Sequence, residues 1–156
     1  MKHFVAAWFL AAVAQAQVPF DRIANAHKEP GNWLTYSGNY AGHRHSPLTE
    51  LTPANVAGLK VKWAYQFELN RAETSPIVEG GVMYISAPNK AAALDLKTGR
   101  VIWNWEWPIP SDYQSIGFGR VNRGPAILGD KLYVATLDCY LVALDLKTGQ
   151  QRWAFH

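Results

Sequence analysis

Ala93-Leu94-Asp95-Leu96-Lys97-Thr98-Gly99, with Trp103 four residues further on, returns residue for residue as Ala143-Leu144-Asp145-Leu146-Lys147-Thr148-Gly149 with Trp153. The two tryptophans are 50 residues apart (153 − 103). Upstream, Pro76-Ile77-Val78 and Val82-Met83-Tyr84-Ile85 match Pro125-Ala126-Ile127 and Lys131-Leu132-Tyr133-Val134 at an offset of 49 (125 − 76). One residue is therefore inserted before the second copy of the Asp-Leu-Lys-Thr-Gly turn. A period near 50 residues is the length of one four-stranded propeller blade rather than of a helical solenoid unit.

Each unit carries short β-rich runs between turn residues. In the first copy these are residues 75–78, 82–86, 91–94 and 101–105, separated by Glu79-Gly80-Gly81 and by the Asp-Leu-Lys-Thr-Gly turn. Within that turn the short aspartate carboxylate can accept backbone N–H bonds of its own turn. The closing glycine tolerates the positive φ that reverses the chain. The next strand then carries an indole at a fixed distance from the turn, where it wedges against the neighbouring blade and buries on the order of 200 Å² of mostly apolar surface. Trp63-Ala64-Tyr65 parallels Trp103-Asn104-Trp105 and Trp153-Ala154-Phe155, so residues 59–65 read as a closing strand whose blade is completed elsewhere. The fold class is all-β: a partial propeller of about two blades, an incomplete ring.

Composition agrees with a globular chain. Of 156 residues, 49% are hydrophobic and 13% aromatic, and 15 basic side chains against 12 acidic give a formal charge of +3, which excludes a disordered tail or a polybasic nucleic-acid arm. The basic residues are scattered singly, so no nucleic-acid partner is expected. One cysteine, Cys139, excludes an internal disulfide and a thiolate cage for zinc or iron–sulfur.

The N-terminus reads as an export leader. Lys2 and His3 form a basic start, residues 4–13 are uninterruptedly apolar, and Ala14-Gln15-Ala16 offers the small-x-small pattern of a signal-peptidase site. The apolar run is about half the ~20 residues a membrane span needs, and no second stretch approaches that length. The expectation is a signal peptide over 1–16, an N-terminal extension over 17–58 leading into the propeller, and propeller blades over 59–156, in a periplasmic or secreted protein. Cleavage after Ala16 leaves 140 residues (156 − 16) and, with Lys2 gone, a charge of +2.

The repeat Ala-Leu-Asp-x-x-Thr-Gly-x-x-x-Trp resembles the tryptophan-docking motif of the pyrroloquinoline quinone (PQQ) dehydrogenases, eight-bladed propellers that oxidise alcohols or sugars in the periplasm. Three further segments resemble their N-terminal region: Trp33-Leu34-Thr35-Tyr36-Ser37-Gly38 running to Arg44-His45-Ser46-Pro47-Leu48, then Glu73-Thr74-Ser75-Pro76, then Val121-Asn122-Arg123-Gly124. Glu73 and the Asn122-Arg123-Gly124 triplet point toward the alcohol-dehydrogenase branch. The resemblance implies that Arg123 binds the cofactor, a planar ortho-quinone bearing three carboxylates, and that Glu73 contacts the quinone edge. A guanidinium offers carboxylates and quinone oxygens a fixed fork of donors and stays charged at any working pH. Where the alcohol dehydrogenases carry two adjacent cysteines, forming a disulfide ring over one quinone face, this chain has Gly117-Phe118. Phe118 is the candidate to stack on the cofactor plane instead.

Other constellations carry less. His43 and His45 would share a face of an extended segment, but with no third ligand nearby they read as loop histidines. Asp95 and Asp145 read as turn residues rather than an acid/base pair. No phosphate-cradling glycine loop and no haem-attachment Cys-x-x-Cys-His sequence is present.

At ~50 residues per blade, 140 residues make fewer than three blades, and a closed propeller needs at least four. The chain is therefore expected to be the N-terminal portion of a longer quinoprotein, inactive alone and completed by missing blades or a second chain. The resemblance puts the calcium ligands and the aspartate base on later blades, so neither a catalytic residue nor a metal ligand is assigned here. The implied function is PQQ-dependent oxidation of an alcohol or sugar hydroxyl by hydride transfer, with an unidentified electron acceptor. The alternative is a non-catalytic propeller serving as an interaction scaffold.

Overall fold

The computed structural model describes residues 17–66, 73–109, 111, 113 and 119–156. The expected leader, 1–16, lies outside them. The architecture is nearly all-β: two four-stranded antiparallel sheets, each a simple meander, standing as two consecutive propeller blades and not as a ring. The first contains β1 (Ile77–Glu79), β2 (Val82–Ala87), β3 (Lys90–Asp95) and β4 (Val101–Glu106). The second contains β5 (Ala126–Leu128), β6 (Lys131–Ala135), β7 (Leu141–Asp145) and β8 (Gln151–Phe155).

The repeat is preserved in the register. Ile77, Tyr84, Ala93 and Trp103 stand side by side across the first sheet, and Ala126, Tyr133, Ala143 and Trp153 across the second. Both sheets shift register at the same place, Ala93/Leu94 and Ala143/Leu144. The inserted residue sits in the β6–β7 turn, which has five residues from Thr136 to Tyr140 where the β2–β3 turn has Pro88 and Asn89. Asn89 and Cys139 both take the left-handed conformation there, at φ 56° and 68°.

Alternation along the strands decides what packs on what. Ile77, Tyr84, Ala91, Ala93 and Trp103 from one face of the first sheet meet Ile127, Leu132, Val134, Val142 and Leu144 of the second in one core. The opposite face of the first sheet, Ile85, Ala92 and Leu94, is covered by Trp63 and Tyr65. Residues 59–66 reach this position without joining a ladder.

The turns behave as their chemistry requires. Asp95 Oδ1 accepts from the Lys97 N–H, the Thr98 N–H and the Thr98 hydroxyl at 3.1, 2.8 and 2.7 Å. Asp145 repeats the pattern with Lys147 and Thr148 at 3.1, 2.8 and 2.8 Å. Gly99 and Gly149 close the two turns at φ 70° and 71°.

The segment before the first sheet acts as a strap across both. Val18 bridges to Gly129 and Trp33 to Val78. Between them lies a short helix, α1 (Phe20–Ala24), whose Ile23 joins the inter-sheet core with Ala26 and Leu34. Arg22 grips Glu29 through two hydrogen bonds of 2.9 and 2.7 Å and Glu79 of β1 through a third of 3.1 Å, fastening the strap to the first sheet.

Candidate functional site

Two loop segments run into the first strand of each blade: residues 73–76 into β1 and 121–125 into β5. Because the blades are parallel copies of one meander, both segments lie at the same end of the structure. They touch there. The Ser75 N–H donates to the Arg123 carbonyl at 3.4 Å, and Arg123 Nη1 lies 2.9 Å from Glu73 Oε2. The structure thus brings together two of the three residues singled out from sequence. Phe118, the third, lies outside the described residues.

The pair is asymmetric. The Arg123 side chain is 70% exposed and the Glu73 side chain 22%. One face of the guanidinium is committed to a carboxylate while most of the fork faces solvent, an arrangement that suits an anionic or carbonyl-bearing partner. Arg123 also borders a groove of about 470 Å³, which Leu34, Tyr36 and Tyr40 of the strap line together with Ile127 and Tyr133. Arg123 is the charged donor at the edge of a groove lined mostly by apolar and aromatic side chains, which suits a ligand that carries a carboxylate on a largely apolar ring.

The Asn122-Arg123-Gly124 triplet has a division of labour that residue identity alone does not disclose. Asn122 is buried, and its Oδ1 accepts from Ser86 Oγ at 2.6 Å and from the Gly124 N–H at 2.9 Å, while its Nδ2 donates to the Ala135 carbonyl at 3.0 Å. Ser86 Oγ lies 3.3 Å from Thr74 Oγ1. Gly124 sits at φ 125°, and a Cβ placed on it would come within 2.9 Å of the Ser75 carbonyl oxygen. The asparagine anchors, the arginine projects, and the glycine lets the two loops approach. Sequence reasoning missed Asn122, Ser86 and Gly124 as parts of the site. The signal for Asn122 and Gly124 was their place on either side of the arginine; Ser86 had none.

His43 and His45 are exposed, and the His43 N–H donates to Asn39 Oδ1 at 3.4 Å. Among the described residues, no cluster of three or more histidine, cysteine, aspartate or glutamate side chains is placed to hold a metal ion, and no helix is long and apolar enough to cross a membrane.

The family model of the glucose/ethanol/alcohol dehydrogenase β-propeller domain, the PQQ type, matches residues 33–155. The quinohemoprotein alcohol dehydrogenase ADH-IIG of Pseudomonas putida is 41% identical over 150 residues, covering 93% of this chain and 21% of that protein. Its solved structure superimposes with a TM-score of 0.82 at 40% identity, over 90% of this chain and 21% of that one. The quinohemoprotein alcohol dehydrogenase of Comamonas testosteroni gives a TM-score of 0.78 at 39% identity, over 93% of this chain and 22% of that one. A europium-containing methanol dehydrogenase gives 0.76 at 34%, over 86% and 24%. The chain spans about a fifth of the length of the curated relatives it matches.

Proposed function

Since the chain belongs to the PQQ-type family of glucose, ethanol and alcohol dehydrogenase propellers, we propose that it supplies one wall of the quinone site of a periplasmic dehydrogenase that oxidises an alcohol or sugar hydroxyl. The observation that carries this reading is the Glu73–Arg123 pair at 2.9 Å, formed between the approach loops of adjacent blades with most of the guanidinium left exposed.

PQQ, when bound, supplies the electrophilic quinone that takes the hydride from the substrate carbon. The roles of this chain's own residues are binding and orientation. Arg123 offers parallel N–H donors to a cofactor carboxylate or quinone oxygen. Glu73, engaged by Arg123 at 2.9 Å, is the neighbouring contact at the quinone edge. Phe118 closes one face of the quinone in place of a cysteine pair. The metal, calcium in this reading, and the general base belong to later blades, as does the rest of the ring. A small alcohol or sugar is the substrate class.

The experiment is a chimera in which this chain replaces the matching segment of the Pseudomonas putida relative, supplied with PQQ, calcium and primary alcohols and read by reduction of an artificial electron acceptor. The chimera is expected to turn over. The 156-residue chain alone is expected not to, since in this reading the base and the Lewis acid that supply most of the rate belong to later blades. A folded chimera that never takes up PQQ would overturn the reading in favour of an interaction scaffold.

A further inference from the structure

We propose that Asn122 and Ser86 are positioning residues, whose buried relay to Thr74 sets the geometry of the Glu73–Arg123 pair. The inference rests on the reading of that pair as the cofactor contact.

The hydrogen-bond directions in the relay are determined. The Gly124 N–H can only donate and the Ala135 carbonyl can only accept, so the Asn122 amide has one orientation, Oδ1 toward Gly124 and Nδ2 toward Ala135. With Oδ1 as acceptor, the Ser86 hydroxyl gives it its single proton at 2.6 Å. Ser86 Oγ is then left to accept, and Thr74 must donate across the 3.3 Å contact. The order Thr74 to Ser86 to Asn122 is thus fixed end to end. Ser86 is fully buried, so this direction has no water to compete with it.

The relay ends beside both arms of the pair. Thr74 follows Glu73, and Gly124 follows Arg123. The pair itself is too exposed on the Arg123 side to hold its own geometry, because exposed ion pairs contribute little and long side chains resist ordering. The buried hydrogen bonds behind the pair supply an orienting support. Ser86 is the penultimate residue of β2 and Ala135 the last of β6, so the relay also refers the pair to a strand of each blade.

The test is nitrogen-15 and carbon-13 NMR of the full 156-residue chain, reading rotation of the Arg123 guanidinium about its Nε–Cζ bond, with Arg120 as internal standard and the Trp103 indole N–H as marker of the two-sheet frame. Ser86→Ala removes the middle link without touching the Asn122 bonds to Gly124 or Ala135. It is expected to speed Arg123 rotation about fivefold, the loss of one ordinary hydrogen bond, with Arg120 and Trp103 unchanged. Ser86→Thr, which keeps the hydroxyl, is expected to restore the wild-type rate. A role confined to packing would lower stability in Ser86→Ala and leave the rotation where it was, and that result overturns the inference. Should Ser86→Ala lose the Trp103 marker, Thr74→Val breaks the same relay from its more exposed end and must give the same acceleration, or the inference fails. None of these readouts involves PQQ, so a chain that keeps the relay but binds no PQQ would sink the cofactor reading alone.

Discussion

The indole of Trp103 rests against the backbone of Gly149, so closely that a Cβ built on that glycine would fall 2.6 Å from the ring. Trp63 stands to Gly99 in the same way, also at 2.6 Å. Each indole N–H donates at 3.1 Å to the leucine carbonyl of the turn it covers, Trp103 to Leu146 and Trp63 to Leu96. The closing strand of one unit thus docks on the Asp-Leu-Lys-Thr-Gly turn of the next, and the glycine serves two purposes, chain reversal and contact. Gly149→Ala is therefore expected to cost about 2–4 kcal/mol, summing left-handed strain and overpacking. Gly80→Ala, at φ 57° with open space around it, should show the strain alone, about 1 kcal/mol. Equal losses for the two variants in urea unfolding would contradict the docking contact.

Trp103 is 7% exposed, whereas Trp153 is 40% exposed and touches Tyr133 of its own sheet, ring centroids 5.8 Å apart. Trp103→Ala is expected to cost about 3–5 kcal/mol, as large buried aromatics do, and Trp153→Ala less than half of that. Trp103→Phe keeps most of the packing and should lose about 1 kcal/mol with the bond to Leu146. Chemical denaturation of the three variants gives the ranking directly, and a Trp153→Ala loss equal to that of Trp103→Ala would refute it.

The two turn aspartates differ in one partner. Burial pushes the Asp145 carboxyl up, but Arg152 and Thr148 outweigh it and hold it at about 2. Ile102 stands where Arg152 would be in the first unit, and there the Thr98 hydroxyl and backbone N–H lower Asp95. A folded value below the ordinary ~4 of an unfolded aspartate means stabilisation that is complete above about pH 4 and lost as pH falls toward 2. For Asp145 this amounts to about 1–2 kcal/mol after allowing for screening at the half-exposed Arg152. Thermal unfolding between pH 2 and 7 should show Asp145→Asn less stable at neutral pH and less sensitive to acid. An acid profile identical to wild type would remove Asp145 from the account.

Export is a separate expectation. Secretion from a Gram-negative host should yield a mature chain beginning at Gln17, and an intact mass that still includes Met1 would contradict it.

The fold was legible because its signals are local and periodic. The aspartate and glycine of each turn, the alternation in residues 82–86 and the 50-residue recurrence of tryptophan each announce a blade without reference to distant residues. What the indole rests on was legible only in outline: the sequence reading placed it against the neighbouring blade, and the structure seats it on that blade's glycine turn. The site was half legible. Glu73 and Arg123 stood out by resemblance, but their contact depends on two loops meeting at one end of adjacent blades. Asn122 was visible only as part of the triplet and Ser86 not at all, because a buried hydrogen-bond relay links residues 36 apart and a serine is not distinctive in a strand. Only the packed structure shows which serine finds which asparagine.

The central claim, that Arg123 beside Glu73 is a PQQ contact, is tested most directly by equilibrium titration of the chimera with PQQ. Arg120, whose guanidinium lies over the Tyr113 ring at 5.7 Å, supplies the control of equal charge three residues away. Arg123→Ala is expected to weaken PQQ binding by about tenfold or more, the loss of a charge-assisted bidentate contact, while Arg120→Ala leaves it unchanged. Unaltered affinity in Arg123→Ala, or equal weakening in both variants, would contradict the account.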